Sequence, residues 1–111
     1  DDSTIKKCIN FAKNWGYGGL YMLNLFAFRA TSPSDMFNAS YPIGEENDKY
    51  IRKYSKFSDK VICAWGNDGS FKNRSHEVFS ILKNKFYIKL NKSGEPAHPL
   101  YLSKDLMPIK F

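Results

Sequence analysis

Five consecutive apolar residues followed by a glycine, Val61-Ile62-Cys63-Ala64-Trp65-Gly66, decide the fold class of this chain. An apolar run of this length, bounded by turn-forming residues, is typical of a strand that is buried on both faces. A second run follows, Phe86-Tyr87-Ile88-Lys89-Leu90, and residues 44–57 and 71–84 carry the apolar spacing of helices. This alternation predicts an α/β domain with parallel strands and right-handed crossovers.

The N-terminal part of the chain continues the alternation. Residues 3–15 predict an amphipathic helix that ends at Gly16, and its apolar residues recur at i, i+3, i+4 and i+7: Ile5, Cys8, Ile9 and Ala12. Residues 20–26 are apolar except for Asn24, which predicts a central parallel strand. We therefore expect one α/β domain over residues 1–111, a three-layer α/β/α sandwich with a mostly parallel sheet of three strands.

The composition limits the classes of function. The 111 residues carry a net charge of +6 and contain no apolar run near the roughly 20 residues that a membrane-spanning helix needs. A basic chain favours anionic partners, and its cations form either a nucleic-acid patch or simply a solvated surface. Only three of the 17 cations are Arg, the residue that prefers bidentate phosphate contacts, so both alternatives stay open. We expect a cytoplasmic protein with no membrane partner and leave its oligomeric state unassigned.

The sequence contains no recognisable motif for binding a cofactor or a metal ion. Two dispersed histidines and two cysteines in apolar patterns give no metal-ligand spacing, so we predict no metal site. There is no P-loop, no G-x-G-x-x-G turn before a helix and no nucleophile elbow G-x-S-x-G. We predict no cofactor, and we interpret Cys8 and Cys63 as small buried hydrophobic residues in a reducing compartment.

A candidate ligand site is expected where the strands end, because α/β sheets bind ligands outside the carboxyl ends of their strands. Three segments should meet there, residues 24–35, 66–70 and 91–101. Residues 27–44, with two prolines and a glycine, form a loop that is longer than a compact domain usually has without a binding role.

His98 is the strongest candidate for a catalytic residue in these segments. A histidine on a loop at the ligand edge can polarise a carbonyl or stabilise a developing anion, and Pro99 fixes its backbone. The alternative for His98 is a structural, hydrogen-bonded histidine. Trp65 and Gly66 either flank a flat base, with the glycine allowing close backbone approach, or form a core tryptophan and a turn.

Polar residues of the loops add further candidates. Asn24 either reads a ligand or pins a loop through hydrogen bonds, because an unpaired buried amide is costly. Arg29 either clamps a phosphate or pairs with Asp35 or Asp48 to order the loop. We also include among the ligand-binding candidates four residues in or beside these segments: Thr31, Asp35, Asn47 and Tyr101.

A set of motifs spread over nearly the whole chain resembles one family. The set looks like the small bacterial and phage proteins catalogued as domain of unknown function sixteen forty-three. It consists of Asp1-Asp2-Ser3-Thr4-Ile5, Trp15-Gly16-Tyr17-Gly18-Gly19-Leu20, Asn24-Leu25-Phe26-Ala27-Phe28-Arg29-Ala30-Thr31, Pro42-Ile43-Gly44, Ala64-Trp65-Gly66 and Gly94-Glu95-Pro96 with His98-Pro99-Leu100-Tyr101-Leu102. Members of that family, as the resemblance implies, have a strand ending in an L-N-P-S-T-like turn before the first helix. We therefore expect a chain that lacks its first strand and first active-site loop, or else a shortened relative.

A second resemblance concerns Trp65-Gly66 and His98-Pro99. They are similar in order and placement to the strand-end W-G and the H-P-S loop of the uracil-DNA glycosylase superfamily, which is also an α/β/α sandwich. The resemblance implies that His98 stabilises negative charge on a departing base and that Asn24 reads the base. Leu100 stands where that superfamily often has Ser, and its water-positioning first motif has no counterpart here.

These observations lead to three expectations of function. The first is a nucleobase- or nucleotide-recognising protein, a DNA-glycosylase-like hydrolase that acts on a base in DNA or in a nucleotide. The alternative is a non-catalytic binder of a nucleotide-like small molecule or of DNA. The third is a structural or partner-binding domain whose pocket is vestigial.

Overall fold

Three α-helices and a small sheet make up the part of the chain that the computed structural model describes, residues 2–26 and 46–111. The helices are α1 (Asp2–Asn14), α2 (Asn47–Phe57) and α3 (Arg74–Ile81), and the strands are β1 (Val61–Cys63), β2 (Lys85–Tyr87) and β3 (Ile109–Lys110). Two 3-10 helices complete the set, Asn67–Asn73 and Pro99–Tyr101. These elements define a mixed α/β fold. No helix within the described residues is long and apolar enough to cross a membrane.

The sheet has the order β1-β2-β3. β1 and β2 are parallel, with Val61 opposite Lys85 and Cys63 opposite Tyr87. This pair confirms two of the predicted strands, although each is shorter than the apolar run that predicted it. β3 is antiparallel to β2, with Tyr87 opposite Ile109, so the sheet is mixed and not mostly parallel. The sequence did not reveal β3, because a strand of two residues has no periodicity to recognise.

The prediction of a central strand at residues 20–26 is wrong. These residues form no strand, and Leu20, Tyr21, Met22 and Leu23 are all more than a third exposed. The reason lies in their hydrogen bonds. The Asn47 side-chain amide donates to the carbonyls of Asn24 and Leu25, at 2.9 Å and 2.8 Å, and the Arg74 Nε donates to the same Leu25 carbonyl at 2.6 Å. At residues 24 and 25, side chains therefore occupy the backbone acceptors that a neighbouring strand would have used.

Helix α1 is confirmed, but the side it buries is centred on a different residue. Phe11 is 2% exposed, whereas the predicted core residues Ile5 and Ile9 are 39% and 37% exposed. The Phe11 ring lies 5.1 Å from the Trp15 ring, and α1 packs against the 3-10 helix Pro99–Tyr101. The helix ends at Asn14, and Gly16, the predicted terminating glycine, follows it with φ +86°, while the Tyr17 N–H donates to the Ala12 carbonyl at 2.9 Å.

The main core lies between the parallel strand pair and helices α2 and α3. Its buried members are Leu25, Phe26, Ile51, Cys63, Val78 and Leu82, with the partly buried Val61, Trp65 and Phe71 packed against them. The third predicted helix begins later than expected, because residues 67–73 adopt 3-10 geometry with a kink at Phe71 and Lys72 before α3 starts. Leu25 and Phe26 belong to this core although their segment is not a strand. The prediction that the apolar run 20–26 is buried is therefore correct only at the end of the run.

A fully buried arginine ties three segments of this core together. Arg74, the first residue of α3, is 0% exposed. Its guanidinium forms an ion pair with Asp48 in the first turn of α2, and its Nη1 lies 3.6 Å from a carboxylate oxygen of Glu77. Together with the Nε bond to the Leu25 carbonyl, these contacts give the buried charge its partners, as a charge away from water requires.

Replacing Arg74 should destabilise the fold strongly. Arg74→Ala leaves the Asp48 carboxylate and the Leu25 carbonyl without their donor, and we expect it to lower the free energy of unfolding by about 3 kcal/mol. Urea denaturation measures this loss. Arg52→Ala, which removes an exposed arginine on α2, is the matched control and should stay within about 0.5 kcal/mol of wild type. Equal effects of both variants would contradict the role given to Arg74.

The two cysteines are free, and they should differ in reactivity. Burial raises the pKa of the Cys63 thiol to about 12, partly opposed by Lys85, whereas Cys8 is half-buried and its pKa is raised by burial alone. Because the thiolate is the reactive form, an aromatic disulfide reagent at pH 8 should label Cys8 first and Cys63 only on unfolding.

The raised pKa of Cys63 also means that this residue favours folding below pH 9, and that this contribution is lost as the pH rises from 9 towards 12. Cys63→Ala should remove that pH dependence, and rapid labelling of native Cys63 would contradict the assignment.

Candidate functional site

Two of the three segments expected at the strand ends do meet. After β2 the chain turns back on itself, with the Ala97 N–H donating to the Lys89 carbonyl at 2.8 Å and an antiparallel bridge between Leu90 and Pro96. We call residues 88–97 the hairpin. The Gly66 N–H, beyond the end of β1, donates to the Pro96 carbonyl at 2.8 Å. The hairpin thus lies beside the chain that leaves β1.

Gly66 and His98 lie side by side at this junction. Gly66 has φ +77°, a conformation that side-chain-bearing residues rarely adopt. A Cβ built on it would lie 3.6 Å from the His98 Cβ, which shows how closely the two residues approach. The predicted proximity of residues 66–70 and 91–101 is therefore confirmed at these two positions.

A carboxylate in the hairpin holds Trp65 in place. The indole Nε1 of Trp65 donates to Glu95 Oε1 at 2.8 Å, and the buried Ser75 hydroxyl donates to Glu95 Oε2 at 2.9 Å. Gly69 makes room for the indole, because a Cβ at Gly69 would lie 2.2 Å from Trp65 Cδ1. Of the two interpretations of Trp65, the structure supplies the contacts of the structural one: a ring packed on the core with its N–H already bonded.

Asn67 gives the hairpin its second anchor. The Asn67 Oδ1 accepts a hydrogen bond from the Asn91 amide at 3.1 Å and another from the Ser93 hydroxyl at 2.6 Å. The Ser93 hydroxyl in turn accepts from the Glu95 N–H at 3.2 Å. The hairpin is thus fixed to the residues after β1 by two separate groups of polar contacts, through Asn67 and through Glu95.

His98 follows the braced hairpin directly and is exposed. It caps the 3-10 helix Pro99–Tyr101, and its Nδ1 accepts a long hydrogen bond from the Leu100 N–H at 3.4 Å. In the neutral imidazole with Nδ1 as acceptor, the proton sits on Nε2, so that nitrogen is a hydrogen-bond donor. The same side chain can therefore cap the 3-10 helix through Nδ1 and offer a hydrogen-bond donor at Nε2.

Tyr101 lies at the end of the same 3-10 helix and is 92% exposed. It lines a groove of about 520 Å³ that runs over the chain following β2 and the residues before β3. The groove is otherwise lined by Tyr87, Ile88, Lys89, Leu90, Leu102, Ser103, Leu106 and Ile109. It combines two tyrosines and an apolar surface with one exposed cation, Lys89.

The remaining candidates divide into two groups. Asn24 and Asn47 lie together, joined by the bond from the Asn47 amide to the Asn24 carbonyl, and the Asn24 side chain is exposed. Among the described residues, neither of them hydrogen-bonds to His98, Trp65 or Gly66. Arg29, Thr31 and Asp35 lie outside the described residues. Asp48, considered as a partner for Arg29, is bound by Arg74.

Residues that organise the site were missed by the sequence. Glu95, Ser75, Asn67 and Arg74 make its buried or bracing polar contacts. Asn67 and Glu95 lie in two of the segments predicted to meet, and Glu95 also lies in a motif of the resemblance, but neither was singled out as a site residue. Within residues 2–26 and 46–111, no group of three His, Cys, Asp or Glu side chains is placed to hold a metal ion.

The fold and site define a small mixed α/β protein with a tyrosine-lined groove beside the carboxyl end of β2, one strand of a parallel pair. The chain belongs to the family described as "Protein of unknown function (DUF1643)", whose model matches residues 1–100. No curated protein and no solved structure matches the chain. The family assignment is thereby confirmed, and the comparisons give no support to the resemblance to uracil-DNA glycosylases.

The contact between Gly69 and Trp65 makes a stability test of the site. Gly69→Ala forces the indole away from Glu95, and we expect a loss of about 2 kcal/mol in urea denaturation, with a change in tryptophan fluorescence. Gly18→Ala is the matched control, because a Cβ at Gly18 meets nothing within 4 Å and should change stability by less than about 0.5 kcal/mol. A Gly69→Ala protein as stable as the control would contradict the packing described.

Proposed function

We propose that this protein binds a nucleobase-containing ligand, a nucleotide or a base of DNA, in the groove beside His98 and Tyr101. The observation that carries the proposal is the placement of an exposed histidine donor directly after a braced hairpin, three residues before an almost fully exposed tyrosine. Both residues follow the carboxyl end of β2, the edge of the sheet at which α/β folds bind ligands.

The groove, together with His98, which precedes Tyr101 in the chain but does not line the groove, offers the three kinds of contact that a nucleotide needs. The Tyr101 ring supplies a flat surface for base stacking, because every base has a π-face. The Nε2–H of His98 donates to a base carbonyl or ring nitrogen. The exposed Lys89 ammonium is a point charge for a phosphate. A volume of about 520 Å³ lies within the range of ligand sites, roughly 300 to 1,000 Å³.

Binding without catalysis is the lead form of the proposal. Hydrolysis of a glycosidic bond needs a group that orients or deprotonates water as well as a group that stabilises the leaving base. Glu95, the carboxylate of the hairpin, already accepts from Trp65 and Ser75, so it is assigned no catalytic part. We retain four further residues as proposed ligand contacts: Asn24, Arg29, Thr31 and Asp35.

Glycosylase-like hydrolysis is the second candidate. It is favoured by the contact of His98 with Gly66 at the strand end, an arrangement in which the Nε2–H can hydrogen-bond the anion of a departing base. In that reaction water replaces the base at the sugar carbon, and the base leaves with a proton. This candidate carries with it the three-layer, glycosylase-like α/β/α sandwich.

A titration against a panel of nucleoside monophosphates and short oligonucleotides tests the proposal. We expect calorimetry to show binding that weakens about tenfold in His98→Ala and in Tyr101→Ala, about 1.4 kcal/mol for each lost contact. His76→Ala is the matched control, an exposed histidine on α3, and should bind like wild type. No binding by the wild-type protein to any member of the panel would contradict the proposal.

Chromatography of the same mixtures separates the two candidates. Release of free base by wild type and by His76→Ala, but not by His98→Ala, would establish hydrolysis. Binding without release of base supports the non-catalytic form. Equal release by all three proteins would exclude His98 as the catalytic residue.

A further inference from the structure

Helix α2 presents a row of cations to solvent. Lys49, Arg52, Lys53 and Lys56 are all exposed and follow the i, i+3, i+4, i+7 spacing that places residues on one side of a helix. Ile51, which is 4% exposed, faces the core on the other side. We call these four residues the basic face of α2. It concentrates four of the 17 cations of the chain into eight consecutive positions.

No acid in the described residues neutralises this face. Asp48, the one acidic residue within α2, is bound by the buried Arg74. The exposed Glu46 and Asp59, just beyond the two ends of the helix, form no ion pair with the basic face. Within residues 2–26 and 46–111, the only ion pairs are those of Arg74. Among the described residues, the face therefore carries four cations that no carboxylate pairs with.

Aromatic side chains border the cations. Phe57, the last residue of α2, is 71% exposed, and Tyr50 is 46% exposed. Phe57 and the four cations line one shallow depression of about 360 Å³. The exposed Phe57 ring therefore gives this depression a flat apolar surface beside its cations, and covering that ring with a partner is worth about 2 kcal/mol.

We propose that the basic face of α2, with Phe57 and Tyr50, binds single-stranded nucleic acid. Charge complementarity carries the assignment: exposed lysines along a helix neutralise successive phosphates, and the aromatic rings stack on unpaired bases. From Lys49 to Lys56 the helix rises about 10 Å, enough to contact more than one phosphate of an extended strand. Lysine point charges suit backbone contacts that do not read sequence.

A membrane surface is the competing partner for a basic helix, and the packing of α2 disfavours it. A helix that lies on a bilayer inserts a continuous apolar side among the lipid chains. In α2 the apolar residue Ile51 is buried in the core, and the Tyr54 ring lies 4.7 Å from the Tyr21 ring. Only Tyr50 and Phe57 remain to contact an external partner. The proposal does not depend on the groove at His98, so either can fail alone.

Fluorescence anisotropy with a labelled 20-nucleotide oligo-dT tests this assignment. We expect wild type to bind at 50 mM salt, with affinity falling as salt rises, and Lys49→Gln/Lys53→Gln/Lys56→Gln to bind at least tenfold more weakly. Since a single strand contributes a salt slope of about 0.7 per neutralised phosphate, the slope should decrease by about 2 in the triple variant. Phe57→Ala should weaken binding to oligo-dT several-fold but leave binding to heparin, a polyanion without bases, unchanged.

The matched control is Lys6→Gln/Lys13→Gln/Lys104→Gln, which removes the same charge from exposed lysines elsewhere on the protein. It should keep at least half of the wild-type affinity. Equal losses in the two triple variants would overturn the proposal, since binding would then follow net charge alone. Two other results would also overturn it: no binding of wild type to oligo-dT at 50 mM salt, or tighter binding to phosphatidylserine vesicles than to the oligonucleotide.

Discussion

The buried guanidinium of Arg74 is the interaction on which the described structure most depends. It joins three segments that are distant in sequence: the Leu25 carbonyl, the Asp48 carboxylate at the start of α2, and the first turn of α3. A charge in the core is costly without partners, so the contacts of Arg74 favour the relative arrangement in which these three segments meet. The next residue, Ser75, extends the constraint to the site, because its hydroxyl binds the Glu95 carboxylate that also holds Trp65. The start of α3 therefore couples the core on one side to the hairpin on the other.

The success and failure of the sequence predictions follow from this arrangement. Strands β1 and β2 and helix α1 were predictable, apart from the lengths of the strands, because their apolar patterns are local. The segment 20–26 has the same apolar character as a strand, yet its conformation is decided by Asn47 and Arg74, whose amide and guanidinium replace a strand's hydrogen bonds. An apolar run indicates burial but not which groups will accept its backbone hydrogen bonds. A buried arginine is equally hard to foresee, since arginine is nearly always exposed unless it is paired.

In the candidate site too, the sequence predicted some features and missed others. His98 and Gly66 were predicted to lie near each other from the rule that strand ends meet, and they do. The contacts that hold them there, from Glu95 and Asn67, depend on a hairpin geometry that no local pattern encodes. Asn47 was chosen as a ligand-binding candidate, and the structure gives its amide two backbone carbonyls to bind. Polar residue type alone does not distinguish a residue that binds a ligand from one that replaces a missing strand.

The distribution of charge and aromatic residues separates the two proposed surfaces by chemistry. The groove at Tyr101 has one cation and an apolar lining with two tyrosines, a combination that suits one base and one phosphate. The basic face of α2 has four cations and two exposed rings, a combination that suits a backbone of several phosphates. A net charge of +6 spread evenly would favour neither. Because Arg74 binds the only acid of α2, the same buried ion pair that fixes the core also leaves the outer side of that helix uniformly positive.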